Sequence, residues 1–455
     1  MIFDLNSKNV GVVIPIYKTE KYIQDCLESL LRQSHKNLSV VLVNDGSTDN
    51  SVEIAKRYVE KDERFVLIDK ENFGQSSARN VGIEWFAGKY NFSLESNSDS
   101  YGGGAIYSYN VIVKSSYNII KIYHNTKTLK KPNIDYIMFL DSDDYWHDDC
   151  VLETLKCANG VDIVWFGNTV FYDGVERIWD APKDEESENK ENKESDENSK
   201  NDKSSENKKK DEAPKNSFSA FCDHYAGKIS REEIWKGFAT FNYNFFVFAV
   251  SGMIDFNFFK RINLLFFDNI TAEDQLFGTL LFLQADSVYI LKKSPYVYRV
   301  RPNSTCGYAG GALIPTYLQS VYGCFEGGDK LRYYQILVSE LVIASEIAKF
   351  LQKNKNNYSE AIANKLVPKY ADDYLQLLKL NKCPPDIISR LAIVEPYLAR
   401  DKVKFSYRLR LHYPTLYKIY LFLKKVSNGI KNTCCYIYNK IKIIERTIRR
   451  VVRRN

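Results

Sequence analysis

No run of about 18 uncharged apolar residues, the length a helix needs to cross a bilayer, occurs in this 455-residue chain. FFVFAVSGMIDFNFF (245–259) comes nearest, and Asp255 interrupts it. The opening residues, MIFDLNSKNVGVVIPIYK, have no basic segment and only a short apolar run, so no secretory leader is expected. The nine cysteines form no C-x-x-C pair, and no His/Cys cluster has zinc spacing. An odd, unpatterned count fits a reducing compartment, and a cytoplasmic protein is expected. His147, His224 and His412 stand too far apart in sequence to read as a ligand set.

What is present is a globular composition, 44% hydrophobic and 14% aromatic, in a chain long enough for two or three domains. The net charge of +6 is unevenly spread. Residues 401–455 hold 15 Lys/Arg against 2 Asp/Glu, so the first 400 residues sum to −7. A basic tail of this kind suits an anionic membrane surface or a nucleic acid. No nucleic-acid module accompanies it, and no nucleic-acid partner is expected.

The first 90 residues alternate between two patterns. VGVVIPI (10–16), LSVVLVN (38–44) and FVLID (65–69) are short apolar runs, as in strands buried on both faces. Between them, helical spacing is predicted over 19–32, after the turn DGSTDNS (45–51), and over 75–86. The pattern implies a doubly wound, mostly parallel α/β sheet flanked by helices. Residues 91–133 look like an insertion, parts of which can form a hairpin. IDYIMFL (134–140) resumes the sheet, followed by a helix over 148–158 and a strand over 161–167. Residues 183–215 have no aromatic or large aliphatic side chain and are expected to be disordered. SREE (230–233) fits a capping box. Helical patterns run from 331 to 411, broken at Pro384-Pro385.

The fourth strand delivers FLDSDDYW (139–146), with Asp141, Asp143 and Asp144 inside four residues. Carboxylates so close raise each other's cost of ionisation. Ligands of open α/β sheets bind beyond the carboxyl ends of strands. An EF-hand starting at Asp141 would need Gly and Glu where Trp146 and Leu152 stand. Mn²⁺ or Mg²⁺ held by one or two carboxylates plus phosphate oxygens fits better.

Five segments in order, VVIPIYKTEKYIQDCLESLLRQS (12–34), VVLVNDGSTDNS (40–51), NFGQSSARNVGIE (72–84), FLDSDDYW (139–146) and TAEDQLFG (271–278), resemble family 2 inverting glycosyltransferases of the GT-A fold. The bacterial members most similar build lipopolysaccharide, lipooligosaccharide or capsule. The resemblance implies a GT-A domain over 1–305; the helical patterns give a C-terminal region over 306–400, and the charge a basic, membrane-associating tail over 401–455. The resemblance also implies a nucleotide-sugar donor, UDP-linked, and a glycan or lipid-linked acceptor. Pro15 and Tyr17 would meet the base, and Asp45 would accept from uracil N3–H. Arg79, next to Asn80, would pair with the diphosphate. Asp141 would serve ion and donor, and Asp143 would bind the metal directly. Asp274 would be the catalytic base, with Glu273 orienting the site.

The long stretch between GIEWFAGKY and IDYIMFL departs from the family pattern. The Q-x-x-R-W pattern of processive synthases is absent after residue 274, so a single sugar per acceptor is expected. A sugar-phosphate nucleotidyltransferase would want a Gly-rich phosphate loop after the first strand, where IYKTEKY stands. A non-catalytic, membrane-bound sugar-nucleotide binder is the other alternative. RLRLHYPTLYKIYLFLKKV (408–426) and YIYNKIKIIERTIRRVVRR (436–454) interleave apolar and basic residues, as interfacial helices do. A peripheral site on the inner face of the cytoplasmic membrane is expected.

Overall fold

Strand β1 (Val10–Ile16) is buried along its whole length, which only the centre of a sheet covered on both faces allows. It runs parallel to β2 (Leu38–Asp45) on one side and to β7 (Tyr136–Phe139) on the other. β2 pairs in parallel with β3 (Phe65–Lys70). The computed structural model describes residues 4–101, 104–112, 117–175, 221–222, 224–241, 246–302, 331–370, 375–379, 385–398, 403, 405–430, 443–444 and 446. The expected loop at 183–215 and most of the tail beyond 430 lie outside the described residues.

The sheet is mixed. The 91–133 segment forms β4 (Phe92–Tyr101), β5 (Gly104–Val111) and β6 (Ile119–His124), an antiparallel meander that joins the sheet through β6 on β3. At the other side, β11 (Gly252–Asp255) inserts antiparallel between β7 and β9 (Ile163–Tyr172). β12 (Ser287–Val300) runs parallel to β9, antiparallel to β10 (Gly227–Ser230) and antiparallel to the short β8 (Tyr145–Trp146). β11 comes from the most apolar run of the sequence. Asp255, which interrupts that run, caps helix α6 (Phe256–Ile262) by accepting from the Phe258 N–H at 2.8 Å.

Alternation along the strands gives each face its own core. Val12, Ile14 and Ile16 pack with Ile23, Leu27 and Leu30 of α1 (Ile23–Arg32) and with Ala55 and Val59 of α2 (Ser51–Lys61). Val13, Val41 and Val43 pack with Ala78 and Val81 of α3 (Gln75–Phe86). Helix α4 (Cys150–Leu155) covers the first face. α5 (Arg231–Thr240), α6 and α7 (Glu273–Gln284) cover the second. α5 starts at the expected capping box of Ser230 and Glu233. The helical C-terminal region supplies α8 (Leu331–Lys353), α9 (Ser359–Leu366), α10 (Pro385–Val394), α11 (Phe405–His412) and α12 (Pro414–Ile430). Leu337, Leu341 and Leu391 from this region extend the second core. No helix among the described residues is long and apolar enough to cross a membrane.

The close seating of α3 on β1 sets the height of Arg79, one turn earlier on the same helix. It depends on Gly82, where an added Cβ would stand 2.3 Å from Val13 Cγ1. Val13 is β-branched and has no alternative rotamer to offer in a full core. Gly82→Ala is therefore expected to destabilise the fold by about 1–3 kcal/mol. Urea denaturation measures it directly, and an unchanged midpoint would mean that α3 is not held where it stands.

Candidate active site

Five chain segments meet at the carboxyl ends of β1, β2, β3 and β7. β1 ends at Pro15 and Ile16, and Tyr17 projects 44% exposed. The loop behind it is anchored: Thr19 N–H donates to Ser51 Oγ at 2.9 Å, and Thr19 Oγ1 bonds Ser142 Oγ at 3.1 Å. That second bond ties the first loop to the acidic segment. It also explains why α1 begins at Ile23 rather than at the expected residue 19, since Thr19 to Tyr22 form the turn that makes these contacts.

Asp45 ends β2 and is 2% exposed. Its carboxylate is ion-paired with Lys70 and accepts from the Phe73 N–H at 3.0 Å and the Gly74 N–H at 2.8 Å. Lys70 also donates to Ser77 Oγ at 2.9 Å. A carboxylate has about four acceptor positions, and most of these are occupied by the β3–α3 connection. Asp45 thus shapes the loop that carries α3, and a base can bond it only where one of those donors gives way.

The acidic segment is not uniform. Asp144 is 1% exposed; it accepts from the Tyr296 hydroxyl and from the Arg299 N–H at 2.7 Å. Burial first, then the charges of Asp143 and Asp141, push its carboxyl well above the usual range. Asp144 staples the acidic loop to β12. Asp143 is half-buried and pairs with Arg301 Nε at 2.8 Å. Burial and then Asp141 push its carboxyl up, against the pull of Arg301. Asp141 accepts from Gln75 Nε2 at 3.0 Å and Arg79 Nη2 at 2.7 Å.

Arg79 is buried and spans the site. One arm holds Asp141 and the other donates to Glu273 Oε1 at 2.8 Å. Its guanidinium lies over the Phe266 ring, 5.1 Å from the centroid. Burial alone would favour loss of its proton, but Asp141 and Glu273 outweigh burial and hold it charged. The expected diphosphate partner therefore has two carboxylates already on it, and Nε, without a hydrogen-bond partner among the described residues, is left over.

Glu273 and Asp274 open α7. The N-cap before them, Ala272, sits in the left-handed region at φ 59 and offers no side-chain cap, a conformation an alanine adopts at a cost of roughly 1–2 kcal/mol. Asp274 is half-buried and accepts from the Gln275 N–H at 2.9 Å. Burial and the neighbouring Glu273 push its carboxyl up to about 7, against Arg79. A carboxyl poised near neutrality is suited to take a proton.

Two residues of the site escaped the sequence reading. Arg299 and Arg301 leave the end of β12 beside the acidic loop. Arg299 pairs with Asp25 at 2.6 Å and Asp173 at 2.8 Å, and Arg301 covers the Tyr22 ring at 4.9 Å. The signal was YRVR at the end of an apolar strand. The histidines go elsewhere: His224 stacks on Phe241 at 4.2 Å, His412 faces Glu395 at 3.5 Å, and His147 is exposed. No group of three or more His, Cys, Asp or Glu among the described residues forms a cage for an ion. The donor set that fits a divalent cation is Asp143 with Asp141, hard oxygens in a region where burial has left a carboxyl poorly compensated.

Residues 11–96 match the family described as Glycosyl transferase family 2. The chain is 46% identical over 81 residues to "Glycosyltransferase GlyA" of Streptococcus pneumoniae, covering 18% of this chain and 12% of that protein. It is 43% identical over 98 residues to "Uncharacterized glycosyltransferase YibD" of Escherichia coli, covering 21% and 28%. The chain thus spans less than a third of either relative's length. Among solved structures, S. aureus TarS in complex with UDP-GlcNAc aligns over 96% of this chain and 92% of that one, at 16% identity and a TM-score of 0.47.

Removing Arg79 would leave Asp141 and Glu273, both half-buried, without their shared cation. Arg79→Ala is expected to lose about 3–5 kcal/mol. Urea denaturation checks this, and an unchanged midpoint would mean that the bridge contributes nothing to stability. The mixed α/β sheet with flanking helices is GT-A-like, and the segment that matches Glycosyl transferase family 2, residues 11–96, includes Pro15, Tyr17, Asp45 and Arg79.

Proposed function

We propose that the chain transfers one sugar from a nucleotide-diphosphate sugar, a UDP-hexose, to a hydroxyl of a glycan or glycolipid acceptor, with inversion, in the synthesis of a bacterial surface polysaccharide. The observation that carries this reading is the pairing of two unlike acidic groups through Arg79. Asp141 and Asp143 sit at the strand end, and Asp274, pushed up to about 7, sits on a separate helix. One group suits a metal-diphosphate and the other suits a proton.

In the step itself, Asp274 takes the proton of the acceptor hydroxyl as that oxygen forms its bond to the anomeric carbon. The bond from that carbon to the diphosphate oxygen breaks, and its electron pair leaves with the nucleoside diphosphate. A single displacement inverts the centre and requires no enzyme nucleophile. Mn²⁺ or Mg²⁺, held by Asp143 with Asp141 when bound, would supply charge neutralisation for the diphosphate. Tyr17, exposed at the lip, can stack on the base, with Pro15 behind it. Asp45 would bond uracil by releasing one of its present donors. Arg79 would pair with the diphosphate by exchanging one of its present carboxylate partners, Asp141 or Glu273. Glu273 orients Arg79.

Calorimetric titration of UDP with and without Mn²⁺ tests the donor side. Binding should need the metal and weaken by about 10-fold or more in Asp143→Ala. Metal-independent binding in both proteins would remove the clamp.

Asp274→Asn should lower turnover about 10²–10⁴-fold. The base works only when ionised, so kcat/KM should fall tenfold per pH unit below about 7. The folded state binds the Asp274 proton more tightly than the unfolded chain does. The carboxylate therefore lowers stability above about 7, and this penalty fades as pH falls through 7 towards 4. Asp274→Asn should accordingly raise Tm at pH 8 more than at pH 5. Metal-dependent nucleotide binding without transfer in the wild type would favour the non-catalytic alternative.

The membrane assignment draws on the +13 tail and on α12, where Ile419, Leu421 and Phe422 are exposed beside Lys418, Lys424 and Lys425. Apolar residues and cations exposed on one helix suit an anionic lipid surface. The protein would then act on the inner face of the cytoplasmic membrane, where lipid-linked acceptors are met. Co-sedimentation with anionic vesicles should be lost when the three lysines become glutamate, with neutral vesicles as control.

A further inference from the structure

The loop between α6 and α7 delivers Glu273 and Asp274, and it is held on one side by Asn80 of α3 with Tyr117 of the 91–133 segment and on the other by Ser339 of α8. Asn80 grips it at Phe266: its Nδ2 donates to the Phe266 carbonyl at 2.9 Å, and its Oδ1 accepts from the Phe266 N–H at 2.8 Å. Asn80 Nδ2 also reaches Tyr117 Oη at 3.2 Å and Asp268 Oδ1 at 3.4 Å. Tyr117, between β5 and β6, donates its hydroxyl to Asp268 Oδ2 at 3.2 Å. On the far side, Ser339 of α8 accepts from the Thr271 N–H at 2.9 Å.

What the loop holds is the site. Phe266 lies flat on Phe277 of α7, with centroids 3.8 Å apart and planes at 5°. Its ring also meets Phe139 edge-on at 5.4 Å and lies under the Arg79 guanidinium, which bridges Asp141 and Glu273. Asn263, Asn269 and Ala272 all sit at positive φ, 47, 63 and 59. A loop with three non-glycine residues in that region keeps its shape only where its surroundings over-determine it. The phenol is suited to the task. Burial and then Asp268 push its pKa up, so it remains a donor at any working pH.

We infer that Tyr117, contributed by the three-strand insertion, is a positioning residue for the proposed transfer reaction. It fixes Asp268 and Asn80, and through Phe266 it sets the Arg79 bridge and the start of α7 in the arrangement Asp274 needs. The insertion is then part of the catalytic architecture, and its contribution is one hydroxyl. The catalytic half of this inference rests on the transferase reading above; the structural half does not.

Tyr117→Phe keeps the ring and removes the hydroxyl, and Asp268→Asn alters the other end of the bond. Hydrogen–deuterium exchange should accelerate about threefold or more in peptides covering 263–275 in both variants, with β1 and β2 unchanged. Turnover should fall about tenfold, more than the donor KM or the UDP affinity changes, since the Asp143–Arg301 pair lies outside this network. The double variant should be no worse than the worse single, as for two ends of one interaction. Unchanged exchange in 263–275 in both variants overturns the inference, and so does additive loss in the double variant. Wild type that transfers no sugar from any donor would defeat the transferase reading instead. The exchange result would then still decide the loop role, supporting it if 263–275 loosens and overturning it if not.

Discussion

A single buried guanidinium joins the two halves of the site. Arg79 bonds Asp141 on the strand side and Glu273 on the helix side, at 2.7 and 2.8 Å. A charge so buried persists only with partners of opposite sign, and each partner in turn persists because of it. The balance is incomplete. Asp141, Asp143, Asp144, Glu273 and Asp274 outnumber Arg79 and Arg301, and Arg299 is engaged by Asp25 and Asp173. Burial first, and then the neighbouring carboxylates, displace Asp143, Asp144 and Asp274 upward. A centre built this way accommodates additional positive charge more readily than additional negative charge. The anionic donor proposed above would therefore call for an accompanying cation.

The three carboxylates of FLDSDDYW, alike in sequence, divide into different roles in space. Asp144 is a structural acceptor, Asp143 an ion-pair partner and Asp141 a bridge terminus. Nothing in their spacing could separate them, because the separation comes from β12, about 150 residues later. What was legible was the parallel centre. β1, β2 and β3 read as short apolar runs, and α3 spans Gln75–Phe86 as expected. These elements follow from local pattern because each is buried on a regular face. β11 was illegible because its four residues lie inside a longer apolar run, and only its antiparallel neighbours define it. Arg299 and Arg301 were missed for the same reason: their significance lies wholly in what they reach.

The insertion and the C-terminal helices are additions at opposite sides of the same loop. β6 extends the sheet from β3, while α8 packs beneath the segment that precedes α7. The shared sheet positions Pro15, Asp45 and Asp141, the proposed donor side of the site. The proposed acceptor side, where Asp274 stands, is shaped by parts with no regular pattern to announce them. The two sides thus differ in how tightly local sequence prescribes them.

The staple from Asp144 to Tyr296 has a temporal meaning. Its two ends are 152 residues apart in the chain, and the Arg79–Glu273 bond spans 194. Local elements such as β1, α1 and β2 can begin to pair as soon as they are available. The site cannot, because closing contacts over such separations carries an entropy cost that must be met before the contacts form. On a ribosome, the acidic segment would emerge and wait, unpaired and solvated, until β12 followed. The centre of this protein is therefore incomplete until β12 has been made, and a chain interrupted before residue 296 has β1, β2 and β7 without the anchor that holds the acidic loop.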